Sequence, residues 1–156
     1  ENSGKLVTTV RTHAGKLADK HDRPLVLIDG SPGIGCPVIA SITGADRVLI
    51  VTEPTVSGLH DLERVADVAG HFGIEALVCV NKWDLNPGMA DQIERVAGER
   101  HLLVAGRVRY DRAVTDAQVR RQAVVEYQDN GCAADISELW NAVRAGLDET
   151  PRCGAS

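Results

Sequence analysis

Four short apolar runs recur along the chain: Leu25 to Asp29, Val48 to Thr52, Ala76 to Asn81 and Leu102 to Val108. Each is rich in Val, Ile and Leu and shows no in–out alternation. That is the pattern of strands buried on both faces, which belong to parallel sheets flanked by helices. The stretches between them read as helices. Ser57 to Phe72 places Leu59, Leu62, Val65, Ala66 and Ala69 on one face behind a Ser cap. Met89 to Glu99 follows the breaker Asn86-Pro87-Gly88, and Ile136 to Leu147 forms a closing amphipathic helix after a candidate cap at Asp135. Gly4 to Asp19, ahead of the first run, also fits a helix. The fold class expected is α/β: a mostly parallel sheet with helices on both faces. Residues 1–149 read as one domain portion and 150–156 as a flexible tail.

Composition narrows the function classes. The chain has 156 residues, 44% of them hydrophobic and 25% charged, enough for one sizeable core and short for two. Lys and Arg number 17 against 22 Asp and Glu, a net charge of -5 with no long basic run, so there is no strong nucleic-acid signal. No apolar stretch approaches the ~20 residues of a membrane span, and the first residues form no signal-peptide core. Cys36, Cys79, Cys132 and Cys153 lie far apart with no C-x-x-C pair, which fits free thiols in a reducing cytoplasm. The start at Glu1, without Met, is read as lying inside a longer natural protein.

The loop after the first run carries the most chemistry. Leu25-Val26-Leu27-Ile28-Asp29 ends an apolar strand in an acid, and Gly30-Ser31-Pro32-Gly33-Ile34-Gly35-Cys36-Pro37 follows, at the carboxyl edge where ligands of open α/β sheets collect. An acid there can hold Mg²⁺ through water, and a Gly without Cβ lets a backbone N–H approach a terminal phosphate. The plain alternative is a strand-to-helix turn with a capping Asp. A dinucleotide fingerprint starting at Gly33 would need Gly at Val38, and a nucleophile elbow around Ser31 would need Gly at Asp29, so neither pattern fits.

Two further strand ends belong to the same edge. Asn81-Lys82-Trp83-Asp84 matches N-K-x-D, in which Asn tethers neighbouring loops, the Lys stem packs on a base and Asp can accept from guanine. The alternative is an exposed polar turn with Trp83 covering the core. Arg109-Tyr110-Asp111 follows the next strand and could close over a base from the other side; judged alone, it is equally a strand end with Tyr110 half buried. His13, His21, His60, His71 and His101 have no ligand spacing, and Arg120-Arg121 reads as a solvated helix face.

Ile28 to Val38, Val48-Leu49-Ile50-Val51-Thr52-Glu53-Pro54-Thr55 and Ser57-Gly58-Leu59-His60-Asp61 together resemble the MinD/ParA superfamily of P-loop ATPases. The similarity is greatest to the MinD-type members with an inserted ferredoxin domain. It runs from Glu1 to Trp140, with Asp29 to Asp61 its specific part. The resemblance implies ATP binding across a homodimer, with Asp29 near Mg²⁺, the Gly33 backbone sensing the γ-phosphate and Asn81 beside the purine. Lys82, Asp84, Arg109, Tyr110 and Asp111 would then line the base, although Arg109 stands where relatives usually carry a Pro-containing loop. It also implies nucleotide control of dimerisation or of an unidentified protein partner, and a link to iron–sulfur or electron-transfer chemistry through the inserted domain.

The family's G-x-x-x-x-G-K-[ST] does not occur here: Gly4-Lys5 precedes Leu6, and Gly15-Lys16 precedes Leu17. The ferredoxin cysteines are absent as well. The expected fold is therefore incomplete at its N-terminal side, an ATPase portion inactive without its phosphate cradle. Two alternatives remain open, a non-catalytic interaction module and a GTPase-like domain reading guanine through Asp84. A missing P-loop strand would leave a slot between Leu25 to Asp29 and Val48 to Thr52, and two repairs are expected: direct parallel pairing of those runs, with Cys36 to Ala45 as a right-handed crossover, which is favoured because it needs no partner, or filling of the slot by another chain.

Overall fold

The computed structural model describes residues 2–31, 33, 35–145 and 147. The chain divides into two compact units, Glu1–Val48 with Glu63–Glu75, and Leu49–Leu62 with Ala76–Ser156.

In the first unit, helix α1 (Asn2–Lys20) packs against the short helix α2 (Cys36–Ile42). The Arg11 guanidinium donates to the carbonyl oxygens of Ala40, at 2.7 Å, and of Thr43. It thereby satisfies carbonyls that the end of a helix leaves without intrahelical donors. Pro37 occupies the first turn of α2, where its missing N–H costs nothing, and Val38 and Ile42 are buried.

Leu25 to Asp29, expected to be a strand paired with Val48 to Thr52, joins no ladder, so the direct-pairing expectation is overturned. Leu27 is 79% exposed, and Leu25 and Val26 are exposed as well. The apolar run specifies burial, but a strand exists only where a neighbour takes its backbone donors and acceptors.

Among the described residues the sheet has three parallel strands, β1 (Arg47–Thr52), β2 (Glu75–Asn81) and β3 (Leu103–Val108), in the order β1-β2-β3, flanked by helices. Central β2 buries Ala76 to Val80 in succession, as its unbroken apolar run predicts. It pairs with β3 from Leu77↔Leu103 to Asn81↔Val108, with a register shift between Val78 and Cys79. Helix α3 (Val56–His71) connects β1 to β2, and α4 (Pro87–Glu99) connects β2 to β3. Thr55, not Ser57, caps α3: its hydroxyl accepts the Gly58 N–H at 2.9 Å. Asn86 caps α4 by accepting from Met89 N–H, and Ala90, Ile93 and Ala97 form its buried stripe.

After β3 come two short helices that the periodicity did not predict, α5 (Ala113–Val119) and α6 (Val124–Tyr127), and then α7 (Cys132–Ala145). Helix α7 packs on β3, and Cys79, Val108 and Cys132 form a buried cluster with Leu49, Val124, Ile136 and Leu139 around it. Because α7 begins four residues earlier than expected, Asp135 lies inside its first turn and is not its cap. Arg120 ends α5 with its guanidinium over the Tyr127 ring at 5.0 Å, so the pair Arg120-Arg121 is not simply a solvated face. The expected tail, 150–156, lies outside the described residues.

Candidate functional site

Parallel strands bring their carboxyl ends to one edge, and in the second unit three consecutive ends carry the polar residues. β1 leads into Glu53, β2 ends in Asn81 and leads into Lys82, Trp83 and Asp84, and β3 leads into Arg109, Tyr110 and Asp111. Lys82 takes a left-handed conformation (φ 53°, ψ 37°) that turns the chain sharply into a 3₁₀ turn, Trp83–Leu85. Its ammonium reaches Glu53 at 2.6 Å and so bridges the ends of β1 and β2. The Asn81 side chain is half buried, and none of the hydrogen bonds of the described residues uses its amide. Trp83 is half buried beneath the Arg107 guanidinium, 5.4 Å from the ring centroid, and Arg107 is paired in turn with Glu94 and Asp91.

The loop after β3 is held by three carboxylates. Asp84 accepts the Tyr110 N–H at 2.7 Å. Asp135 accepts the Arg109 N–H at 3.0 Å and grips its guanidinium with both oxygens, at 2.7 and 2.8 Å. Asp111 accepts from Ala113 N–H, Gln128 Nε2 and, at 3.3 Å, the Cys132 N–H that opens α7. The guanidinium fork holds the Asp135 carboxyl below the usual carboxylate range, against a smaller upward push from burial. Backbone N–H groups, Ala113 first and then Cys132, do the same for Asp111. Hydrogen bonding to Asp135 raises Arg109, with Asp84 and Asp111 adding smaller contributions.

Asp29 and Gly33 belong to the first unit, and both are exposed. Gly33 has φ +88°, a conformation that side chains rarely adopt, and no described atom lies within 4 Å of where its Cβ would stand.

Sequence reasoning named Lys82, Asp84, Arg109 and Asp111 but not their partners Glu53, Asp135 and Gln128. Glu53 follows β1 directly, so its place at the edge was available from the pattern. Asp135 reads locally only as a helix-start acid and Gln128 carries no local signal, because both reach the loop only through the fold. Among the described residues no group of three or more His, Cys, Asp and Glu could hold a metal ion. A single carboxylate such as Asp29 does suit Mg²⁺, which keeps most of its waters and takes the rest of its shell from phosphate. No helix among the described residues is long and apolar enough to cross a membrane.

No protein-family model matches the chain. It is similar to two uncharacterised proteins of Methanocaldococcus jannaschii. One is 36% identical over 84 residues, 54% of this chain and 29% of that protein. The other is 26% identical over 106 residues, 66% of this chain and 34% of that protein. Among solved structures, the cell division ATPase MinD of Pyrococcus furiosus matches with a TM-score of 0.66 and 19% identity, over 78% of this chain and 52% of that one. A MinC:MinD cell division complex of Aquifex aeolicus gives 0.70 and 18%, over 96% and 62%. The septum site-determining protein MinD of Pyrococcus horikoshii, solved with Mg-ADP, gives 0.63 and 19%, over 78% and 51%. The fold is that of the MinD-like P-loop NTPases. The chain spans about a third of the length of the two M. jannaschii relatives.

Proposed function

We propose that this chain is part of an ATP-binding and ATP-hydrolysing switch of the MinD/ParA type, whose nucleotide state governs homodimerisation or the hold on a protein partner. The observation that carries the proposal is the set of three consecutive strand ends. In a MinD-like sheet they gather Asn81, the Lys82–Glu53 pair and the braced loop Arg109-Tyr110-Asp111 at one edge. Asn81 offers an amide without a described partner to a purine, and the Lys82 stem, with its ammonium tied to Glu53, offers a flat apolar surface. Tyr110, 51% exposed on a loop whose backbone is held, offers an aromatic face. Independently of that edge, the resemblance of Ile28 to Val38 to the MinD/ParA loop assigns Asp29 to the water shell of Mg²⁺ and the Gly33 backbone N–H to the terminal phosphate. Mg²⁺ supplies neutralisation of the charge that develops as the phosphoryl group leaves.

A non-catalytic interaction module is the second reading, favoured by one observation: G-x-x-x-x-G-K-[ST] does not occur in these 156 residues. Calorimetry with Mg-ATP separates the two. The natural polypeptide that carries this sequence should bind and hydrolyse ATP, whereas the 156-residue chain alone should show negligible turnover. In the natural polypeptide, Asp29→Asn should reduce hydrolysis far more than affinity, because an acid near the metal acts on charge that grows in the transition state while binding draws on the whole site. Unchanged turnover in Asp29→Asn removes Asp29 from the metal's surroundings. No nucleotide binding by the natural polypeptide favours the interaction module.

A further inference from the structure

Helices α1, α3, α4 and α5 end in the same turn. The second residue past each helix is left-handed, its N–H donates to the carbonyl three residues back, and the next N–H reaches the carbonyl five residues back. At α3 that residue is Gly73, which has no Cβ to crowd the backbone; at α1 and α4 it is Asp22 and His101, types that enter this region more readily than most. At α5 it is Arg121, with φ +59°. A bulky side chain is unfavourable there, and the fold makes no use of this one: the Arg121 guanidinium has no ion pair or hydrogen bond among the described residues.

Arg121 lies just past an outward stripe of α5. Ala113 and Ala117 are buried, whereas Arg112, Thr115 and Val119, at positions i, i+3 and i+7, share the other side and are exposed. Val119 is 80% exposed, more than any other large apolar side chain among the described residues. Arg112, like Arg121, has no ion-pair partner among them. Arg120 rests over the Tyr127 ring, so the helix end that carries Val119 and Arg121 is anchored to α6. An aliphatic side chain and two unneutralised guanidinium groups are thus presented together by a chain whose net charge is -5.

We infer that the outer face of α5 docks a short acidic segment of a partner protein, with carboxylates on Arg112 and Arg121 and an aliphatic side chain against Val119. Guanidinium forks take carboxylates in paired, charge-assisted hydrogen bonds, and a covered aliphatic contact keeps water from them. A nucleic acid or an anionic bilayer fits the face less well. Exposed Asp116 on the same helix and the acidic chain both repel a continuous array of phosphates, whereas a peptide can set its few acids clear of Asp116. The face would give the proposed switch a surface for its partner, yet docking does not rest on the nucleotide site and is measured without nucleotide.

The test uses the natural polypeptide and a fluorescein-labelled peptide of Glu and Leu residues, with a peptide of Gln and Leu as control. Anisotropy should show binding of the Glu peptide that weakens with added salt, and no binding of the Gln peptide. Arg121→Gly should weaken binding about tenfold, the scale for losing an interface arginine. It should nevertheless unfold at the wild-type urea midpoint or above it, because Gly relieves the left-handed turn. Val119→Ser should also weaken binding, and the amide NMR shifts caused by the peptide should fall within residues 112–127. No binding of the Glu peptide, wild-type binding by Arg121→Gly, or shifts confined to other residues overturns the inference. A lowered urea midpoint in Arg121→Gly overturns it as well, since Arg121 would then serve the fold. So does tighter binding of phosphatidylglycerol vesicles or of an oligonucleotide through Arg112 and Arg121, which would give the face to a lipid or a nucleic acid.

Discussion

Gly58 shows how much one missing methyl can matter. Thr52 donates its hydroxyl to the Gly58 carbonyl at 2.8 Å and Thr55 accepts the Gly58 N–H, so residues 52–58 wrap tightly around the start of α3. A Cβ at Gly58 would strike the Glu53 carbonyl oxygen and come within 2.7 Å of the Thr52 hydroxyl. Backbone must then move at the residue that pairs with Lys82. Gly70, on an exposed face of the same helix, has nothing within 4 Å of its Cβ position. Gly58→Ala should therefore destabilise by about 1–3 kcal/mol, as overpacking does. Gly70→Ala should stabilise by up to ~1 kcal/mol, through helix propensity alone. Urea unfolding of the two variants checks this, and equal midpoints would show that the 52–58 wrap gives way freely. The sequence presents both glycines as helix residues, and only the packing separates them.

At the scale of elements, the loop after β3 and the first turn of α7 hold together through carboxylates, and this ties them to pH. Asp135 and Asp111 have folded pKa values below their unfolded ones. Their contribution is therefore fully present above the unfolded carboxylate range, near pH ~4, and is lost as pH falls through the folded values. Acidification should free the Arg109 and Cys132 amides, and NMR shifts of those amides between pH 6 and 2 would follow the release. Asp135→Asn should remove the acid-dependent step at Arg109 while leaving that at Cys132. Amides that stay fixed down to pH 2 would sever this linkage. Strands β1 to β3 and the long helices were legible because an apolar run or a 3.6-residue stripe of ten or more positions outweighs local noise. Helices α5 and α6, of seven and four residues, are too short to show a period. Asp135 reads in sequence as an ordinary helix-start acid, since its partner stands 26 positions away.

For the molecule as a whole, the carboxyl edge was readable because parallel topology forces consecutive strand ends together, and N-K-x-D marked one of them. What the edge residues do was less readable, because Lys82, Asp84, Arg109 and Asp111 each hold a neighbour as well as lining a surface. The error at Leu25 to Asp29 has a related origin: hydrophobicity tells a segment to leave water but does not name the strand beside it. The buried thiols of the second unit turn its packing into a clock. Burial, with a smaller push from Asp135, raises Cys79 to about 11, and burial raises Cys132 as well, whereas Cys36 is exposed. At pH 8 roughly one Cys79 in a thousand would be thiolate, and the fold shields even that fraction from a reagent. Maleimide should therefore mark Cys36 at the speed of an open thiol, and mark Cys79 and Cys132 only as often as their unit opens. Peptide mass spectrometry would read those two rates, and Cys79 reacting as fast as Cys36 would contradict its burial. In Asp111→Asn, which loosens the start of α7, Cys132 should run ahead of Cys79, so the order of modification would report which part of the unit yields first.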